Sequence, residues 1–226
     1  MKKILFILSV LLFQITSAQN CEAISPYQQG MLLEYTDYNK KGKVKSIEEY
    51  TIESVKNEDG ALKIKIKTEV KKGKNSQARY QTLKCVDGNF YIDMSNYMAH
   101  QNQNQNSGTE IKAVGDFLEF PSDLAEGTIL PDGAIEIQMG NSEASLALAN
   151  MTVSNRKVLE NSSLTTKAGT FEGYKIAFDY LFTMGFIKFR GSGVEWYVKG
   201  IGIVKTESYN KKGALRWTRE LTKMSK

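Results

Sequence analysis

In Leu62-Lys63-Ile64-Lys65-Ile66-Lys67, apolar and charged side chains alternate without a slip. Neighbouring side chains of an extended chain point to opposite faces, so this run fits a strand with one buried and one wet face. Tyr174, Ile176, Phe178, Tyr180, Phe182 and Met184 form a second alternating row, with Lys175, Asp179 and Thr183 between them. Ile135, Ile137 and Met139 give a third, shorter one. Beyond the N-terminal segment, no stretch holds a helical period for three turns. The pattern predicts an all-β fold with little helix.

The punctuation agrees. Asn39-Lys40-Lys41-Gly42, Glu58-Asp59-Gly60, Lys72-Gly73-Lys74-Asn75 and Asp87-Gly88-Asn89 each separate strand-like runs. Glycine and asparagine accept the positive φ that tight hairpins require, so these are turns between antiparallel neighbours. Strands from about Met31 to Ile92 read as one meander. Pro131-Asp132-Gly133 is the turn that opens a second, from about Ala134 to Thr222. Gly200 and Gly202, inside the apolar run Trp196 to Val204, mark a bulge or a sharp bend. The expected architecture is an antiparallel meander forming a strongly curved sheet, a half-open barrel or a β-roll. Tyr38-Asn39-Lys40-Lys41-Gly42 recurs as Tyr209-Asn210-Lys211-Lys212-Gly213, which shared turn chemistry explains without duplication.

Residues 1–18 have the layout of an export signal. Lys2 and Lys3 supply the positive flank, Ile4 to Ile15 is apolar, and Thr16-Ser17-Ala18 offers small residues for cleavage. The apolar run is shorter than the roughly 20 residues a membrane helix needs. No later stretch is apolar for long enough, so residues 19–226 are expected to form one soluble all-β domain without a transmembrane span. Cys21 close behind the run raises the alternative of a lipoprotein, against which Asn20 stands where a small residue is wanted. The chain carries 30 Lys+Arg and 25 Asp+Glu for a net +5, and losing Lys2 and Lys3 lowers this to +3. That is not the basic stripe of a nucleic-acid binder, so no nucleic-acid partner is expected. Cys21 and Cys85 are too far apart for a redox CxxC pair or a zinc set. In an oxidising compartment they read as a disulfide, with two free buried thiols as the alternative.

Motifs of chemistry are sparse. The single histidine, His100, borders Gln101-Asn102-Gln103-Asn104-Gln105-Asn106, a polar low-complexity stretch read as a mobile surface loop over about 99–109. One histidine with no Cys or carboxylate constellation reads as a solvated loop residue. No H-E-x-x-H, G-x-S-x-G or Walker A pattern is present, so the hydrolases and nucleotide enzymes defined by them have no support. Gly191, Gly193, Gly200 and Gly202 lie in strand-like sequence without a following helix and cradle no phosphate. Glu48, Glu49, Asp116, Glu119, Asp123, Glu126 and Asp132 read as surface charge or turn residues. Neither catalytic residues, metal ligands nor cofactor-binding residues are expected.

Two surfaces carry functional readings. Lys63, Lys65, Lys67, Lys71, Lys72 and Lys74 share a strand face and its turn. They read first as a solvated face that discourages sheet aggregation, and second as attraction to anionic headgroups or polysaccharide. Tyr174, Phe178, Tyr180 and Phe182 alternate on one strand, with Trp196, Tyr197 and Trp217 on neighbouring ones. Their default role is core. If the sheet curls into a half-open barrel, its inner face can hold an apolar ligand such as an acyl chain. Tyr174, Phe178, Tyr180, Phe182, Trp196 and Trp217 are then the candidate ligand face.

Ala168-Gly169-Thr170-Phe171-Glu172-Gly173-Tyr174-Lys175-Ile176, then Glu195-Trp196-Tyr197 and Gly200-Ile201-Gly202-Ile203-Val204-Lys205, resembles the TapB-like family of exported Gram-negative envelope proteins of unknown function. Pro121-Ser122, Leu130-Pro131-Asp132 and the early Cys21 fit the same pattern. In that family a cysteine often stands where Gly173 stands here, which leaves the cysteine pairing open. The resemblance implies a curved β-sheet similar to periplasmic lipoprotein carriers, in the periplasm or at the cell surface, and brings no catalytic residues. The expected function is binding, with a lipid, acyl chain or peptide held on a concave sheet. The alternatives are a structural or assembly protein contacting other envelope proteins and, third, an enzyme with a site scattered across strands.

Overall fold

The structure is a computed structural model that describes residues 21, 25–73, 78–94, 111–140 and 145–225. The export signal over 1–18, His100, Lys74 and the Gln/Asn stretch lie outside the described residues. Among the described residues, thirteen strands form one sheet. The first meander supplies β1 (Leu32–Asn39), β2 (Val44–Glu58), β3 (Ala61–Lys72), β4 (Arg79–Val86) and β5 (Asn89–Asp93). Two short strands follow, β6 (Ile111–Gly115) and β7 (Phe117–Phe120). The second meander supplies β8 (Gly133–Gly140), β9 (Ser145–Thr166), β10 (Gly169–Met184), β11 (Ile187–Val198), β12 (Gly202–Asn210) and β13 (Leu215–Ser225). Every pairing is antiparallel, in the order β6-β8-β9-β10-β11-β12-β13-β1-β2-β3-β4-β5-β7. The two meanders thus stand side by side, joined where β13 pairs with β1, and the sheet rolls into a nearly closed barrel. Among the described residues, no helix is long and apolar enough to cross a membrane.

The turns follow from local chemistry. Asp59-Gly60 and Asp87-Gly88 hold both central residues at positive φ (53° and 76°, 50° and 83°), the two-residue geometry whose twist matches that of the strands. The repeated pentapeptide makes the same bonds in both places. Asn39 Oδ1 accepts from the amides of Lys41 and Lys43, and Asn210 Oδ1 from those of Lys212 and Ala214. The echo is one turn design used twice.

The short strands β6 and β7 make the barrel. They sit at opposite edges of the sheet, yet only Asp116 separates them in the chain. Residues 111–115 pair with β8, and residues 117–120 pair with β5. At the crossing the Asp116 amide donates to the Ala134 carbonyl, the Met94 amide donates to the Asp116 carbonyl, and Asp116 Oδ2 accepts from the Ala134 amide. Arg156 of β9, fully buried, closes the remaining gap. Its guanidinium donates to the carbonyls of Glu119 and Pro131 at 3.1 and 2.8 Å and lies 4.7 Å from the Phe120 ring. An edge strand must have its bare carbonyls satisfied or covered. Here an arginine reaches across to one of them.

Alternation sorts the interior by level. Leu33, Ile52, Ile64, Ile176, Val204 and Leu221 are buried and fill the barrel toward one end. There Phe120 stacks on Tyr197 with centroids 4.3 Å apart. The same end receives the N-terminal segment. Tyr27 is buried and donates its hydroxyl to the Ile201 carbonyl, and Cys21 is bonded to Cys85 of β4. Gly173 has no room for a side chain, since a Cβ there would sit 2.6 Å from the Tyr197 carbonyl oxygen.

The bridge spans a sequence separation of 64 residues, for which chain entropy gives about 4 kcal/mol. Reduction should therefore lower the thermal midpoint by about 10 °C, and Cys85→Ala should do the same without reductant. Thermal unfolding followed by circular dichroism measures this. A midpoint indifferent to reductant would mean the bridge does not hold the segment.

Candidate functional site

Along the other half of the barrel, the inward rows do not meet. They leave a cavity of about 390 Å³. Its wall takes Ile66 from β3, Leu83 from β4, Ile92 from β5 and Met151 from β9, with Ile201 and Ile203 beside the β11–β12 turn. Strand β10 contributes Phe178, Tyr180 and Phe182, and β11 contributes Phe189. The lining residues Tyr27, Leu83 and Ile92 are buried, whereas Phe189 and Arg216 are exposed. The cavity is sealed by Tyr27 and opens where β10 ends and β11 and β13 begin.

Glycines make room for the aromatic wall. Gly193 and Gly191 of β11 pair with Phe178 and Tyr180 of β10. A Cβ on Gly193 would lie 2.2 Å from the Phe178 ring, and one on Gly191 would lie 2.5 Å from the Tyr180 hydroxyl. Each ring lies across its glycine partner. This is why these glycines interrupt a strand without marking a turn.

The tyrosines line the cavity with rings, not hydroxyls. Tyr35 donates to the Ile203 carbonyl at 3.1 Å, Tyr180 to the Tyr209 carbonyl at 3.1 Å, and Tyr27 to the Ile201 carbonyl. The Ser208 hydroxyl is spent on Tyr180 at 3.2 Å. Burial raises the Tyr27, Tyr35 and Tyr50 phenols above their ordinary range, so all three stay neutral at any physiological pH. The surface offered is more apolar than its residue types suggest.

One wall carries charge, fully paired. Arg219 of β13 donates to both Asp37 oxygens at 3.1 and 3.2 Å, to Glu48 at 2.6 Å and to the Tyr50 hydroxyl at 2.7 Å. Its guanidinium lies 5.0 Å from the Tyr35 ring. Arg79 of β4 donates to the other Glu48 oxygen at 2.8 Å, and Ser46 to Asp37 at 2.6 Å. Burial opposes the charge on Arg219, but Tyr50, Asp37 and Glu48 outweigh it and raise its pKa. Burial alone would raise the Glu48 carboxyl, yet Arg219 and Arg79 hold it at about 2. The network ties β13, β1, β2 and β4 together behind the cavity.

Of the expected ligand face, Phe178, Tyr180, Phe182 and Trp217 line the cavity. Trp196 does not. Adjacent residues of a strand face opposite ways, and its neighbour Tyr197 takes the inward position, so Trp196 stands outside under Lys205 and Lys175 at 4.7 and 5.7 Å. Tyr174 packs against the filled level, below the cavity. Tyr35, Tyr50 and Arg219 belong to the wall although the sequence reading omitted them. The available signal was Trp217-Thr218-Arg219-Glu220-Leu221, which puts a charge at an inward position between two apolar ones.

Four lysines of the expected face are paired with carboxylates. Lys63 pairs with Glu58, Lys65 with Glu53, Lys67 with Glu69 and Lys71 with Glu49, all within 3.2 Å. Along β3 it is a solvated face whose charge is largely paired, with Lys72 exposed at the strand end. Two further carboxylates are engaged structurally: Glu119 accepts from the Tyr91 hydroxyl, and Asp132 from the Asn155 amide. Among the described residues, no three His, Cys, Asp or Glu side chains gather as a metal site.

Because the folded pKa of Glu48 is depressed, its contribution is present above the unfolded value and lost as pH falls through the folded one. The window runs from about pH 5 down to about 2, and up to about 3 kcal/mol is lost across it. Glu48→Gln should flatten that part of the pH–stability curve and destabilise the neutral protein by about 3 kcal/mol, since Arg219 loses a buried partner. Urea titrations across the window test both statements. An unchanged acid limb in the variant would contradict the assignment.

A comparison with curated proteins finds no match. Two solved structures share the architecture. One is from Bacteroides fragilis and named as an exported protein with a YmcC-like fold, with 22% identity, TM-score 0.75, and 90% of this chain and 99% of that one covered. The other, named as a lipoprotein, is from Parabacteroides distasonis, with 20% identity, TM-score 0.74, and 89% of this chain and 97% of that one covered. At these identities they establish the fold, an all-β barrel of YmcC-like type. The DUF3108-like family model matches residues 28–221, from the segment that seals the cavity to the strand that carries Arg219, and the chain belongs to that family.

Proposed function

We propose that this is an exported, non-catalytic binding protein that holds one apolar chain, an acyl chain or similar lipid tail, inside the barrel. The observation that carries this reading is the half-empty interior. A cavity of about 390 Å³, walled largely by aliphatic side chains and ring faces, has exposed Phe189 and Arg216 at its rim. Its volume falls at the lower end of small-molecule pockets and suits one chain better than a two-chain lipid or a folded peptide. The Tyr27, Tyr35 and Tyr180 hydroxyls donate to backbone carbonyls, and Arg219 is neutralised by Asp37 and Glu48. An apolar guest can therefore cover these groups without breaking their bonds. Arg216, exposed at the rim and 6.0 Å from the Phe189 ring, is placed to meet an anionic headgroup. The early cysteine and the glycine-rich motifs of β10 to β12 support a place beside the TapB-like proteins within the family.

Native mass spectrometry of the protein purified from its own host should show a lipid-sized adduct at a one-to-one ratio. A fluorescent fatty acid should bind the emptied protein. Thr206→Phe and Gln81→Phe, which place rings in the cavity, should each weaken it at least about tenfold, while Trp196→Ala on the outer face leaves it unchanged. Equal binding by well-folded cavity-filling variants would overturn the reading.

A further inference from the structure

The aromatic row of the cavity does not stop at the rim. On β10 it runs from Phe178, Tyr180 and Phe182 to Met184, and on β11 the facing positions are Phe189 and Ile187. Strand β12 ends at Asn210, opposite Gly191, so residues 187–190 of β11 extend past it. A two-residue turn, with Gly185 at φ 56°, carries Phe186 at the tip. Phe186 is 105% exposed, and Met184, Ile187, Phe189 and Leu215 are each at least 36% exposed. Scattered exposed apolar residues are ordinary, but four on one overhang with Leu215 of β13 at the same end, continuous with a cavity, are not.

The surroundings of this tip are basic. In an up-and-down sheet alternate turns fall at the same end. The β1–β2 and β12–β13 turns therefore stand beside the overhang, carrying Lys40, Lys41, Lys43, Lys211 and Lys212, all exposed. Lys188, Arg190 and Arg216 are exposed on the hairpin and its neighbour. Among the described residues none of these cations forms a salt bridge, unlike the lysines of β3. The sealed end is mixed, exposing Glu58, Asp59, Asp87, Asp123 and Glu126 beside Lys56 and Lys167. One end of the barrel thus combines a protruding apolar tip with unpaired positive charge.

We propose that this end docks on an anionic lipid bilayer, with the Met184–Ile187 tip inserted among the acyl chains and the surrounding lysines on the headgroups. That pairing of an apolar wedge with a cationic ring is the chemistry of a bilayer interface. A protein partner of the same patch would need acids placed against particular lysines, whereas a lipid surface neutralises them in any arrangement. Docking in this pose sets the cavity mouth against the hydrocarbon, so a chain passes between bilayer and lumen along the β10–β11 row without crossing water. The docking itself stands whether or not the lumen holds a lipid.

The test uses the mature chain with vesicles of phosphatidylcholine, alone or mixed with phosphatidylglycerol. Cosedimentation should be strong only with the mixed vesicles and should weaken as salt rises. Phe186→Trp should shift its emission to the blue on binding. Phe186→Asp with Ile187→Asp should lower partitioning at least about tenfold, while fatty-acid binding in the lumen is retained, so the two proposals fail separately. Equal binding to both vesicle types, an unshifted tryptophan at 186, or a concentration-dependent dimer abolished by the aspartates would overturn docking on a bilayer.

Discussion

The structure depends on how a long antiparallel sheet disposes of its two edges. An open edge presents unpaired amides and carbonyls and invites further strands. Here both edges belong to one short stretch of chain, residues 111–120, whose halves pair with β8 and with β5. The seam then needs only a crossing at Asp116 and the guanidinium of Arg156. A nonpolar residue at 156 would leave the Glu119 and Pro131 carbonyls without this donor, which gives a fully buried arginine beside a phenylalanine ring a structural role.

Closure has a second consequence. Barrels of about eight strands are just narrow enough for side chains to fill, and wider ones retain space. This sheet has thirteen strands, and its interior is rich in tyrosine and phenylalanine. Aliphatic side chains and the Phe120–Tyr197 stack fill the sealed end, where the N-terminal segment also packs, whereas the ring-lined part stays hollow. Arg219 belongs to the same solution. It spans the inner wall, stacks on Tyr35, and is held by Asp37, Glu48 and Tyr50, so that a charge serves as a wide structural side chain.

The class of fold was legible because it rests on local rules. Leu62 to Lys67 alternates and forms β3, Asp59-Gly60 and Asp87-Gly88 form the turns that their dipeptides specify, and both meanders lie where the period-two rows begin and end. Within the candidate site, Phe178, Tyr180, Phe182 and Trp217 were readable as one face. Trp196 was not, because its neighbour Tyr197 is equally large and nothing local decides which of two adjacent aromatics turns inward. Strands β6 and β7 escaped notice because Ile111–Gly115 and Phe117–Phe120 are too short to show a period.

By itself, then, the order of residues determined strands, turns and the identity of an apolar face, since each is settled by side chains a few positions apart. Only the tertiary structure decided that β13 meets β1, that one kinked segment closes the ring, and that Arg219 meets Glu48 across 171 residues of chain. It also decided that an aromatic row lines a void and runs out past a basic rim. Those outcomes depend on the register and width of the whole sheet, which no local pattern encodes.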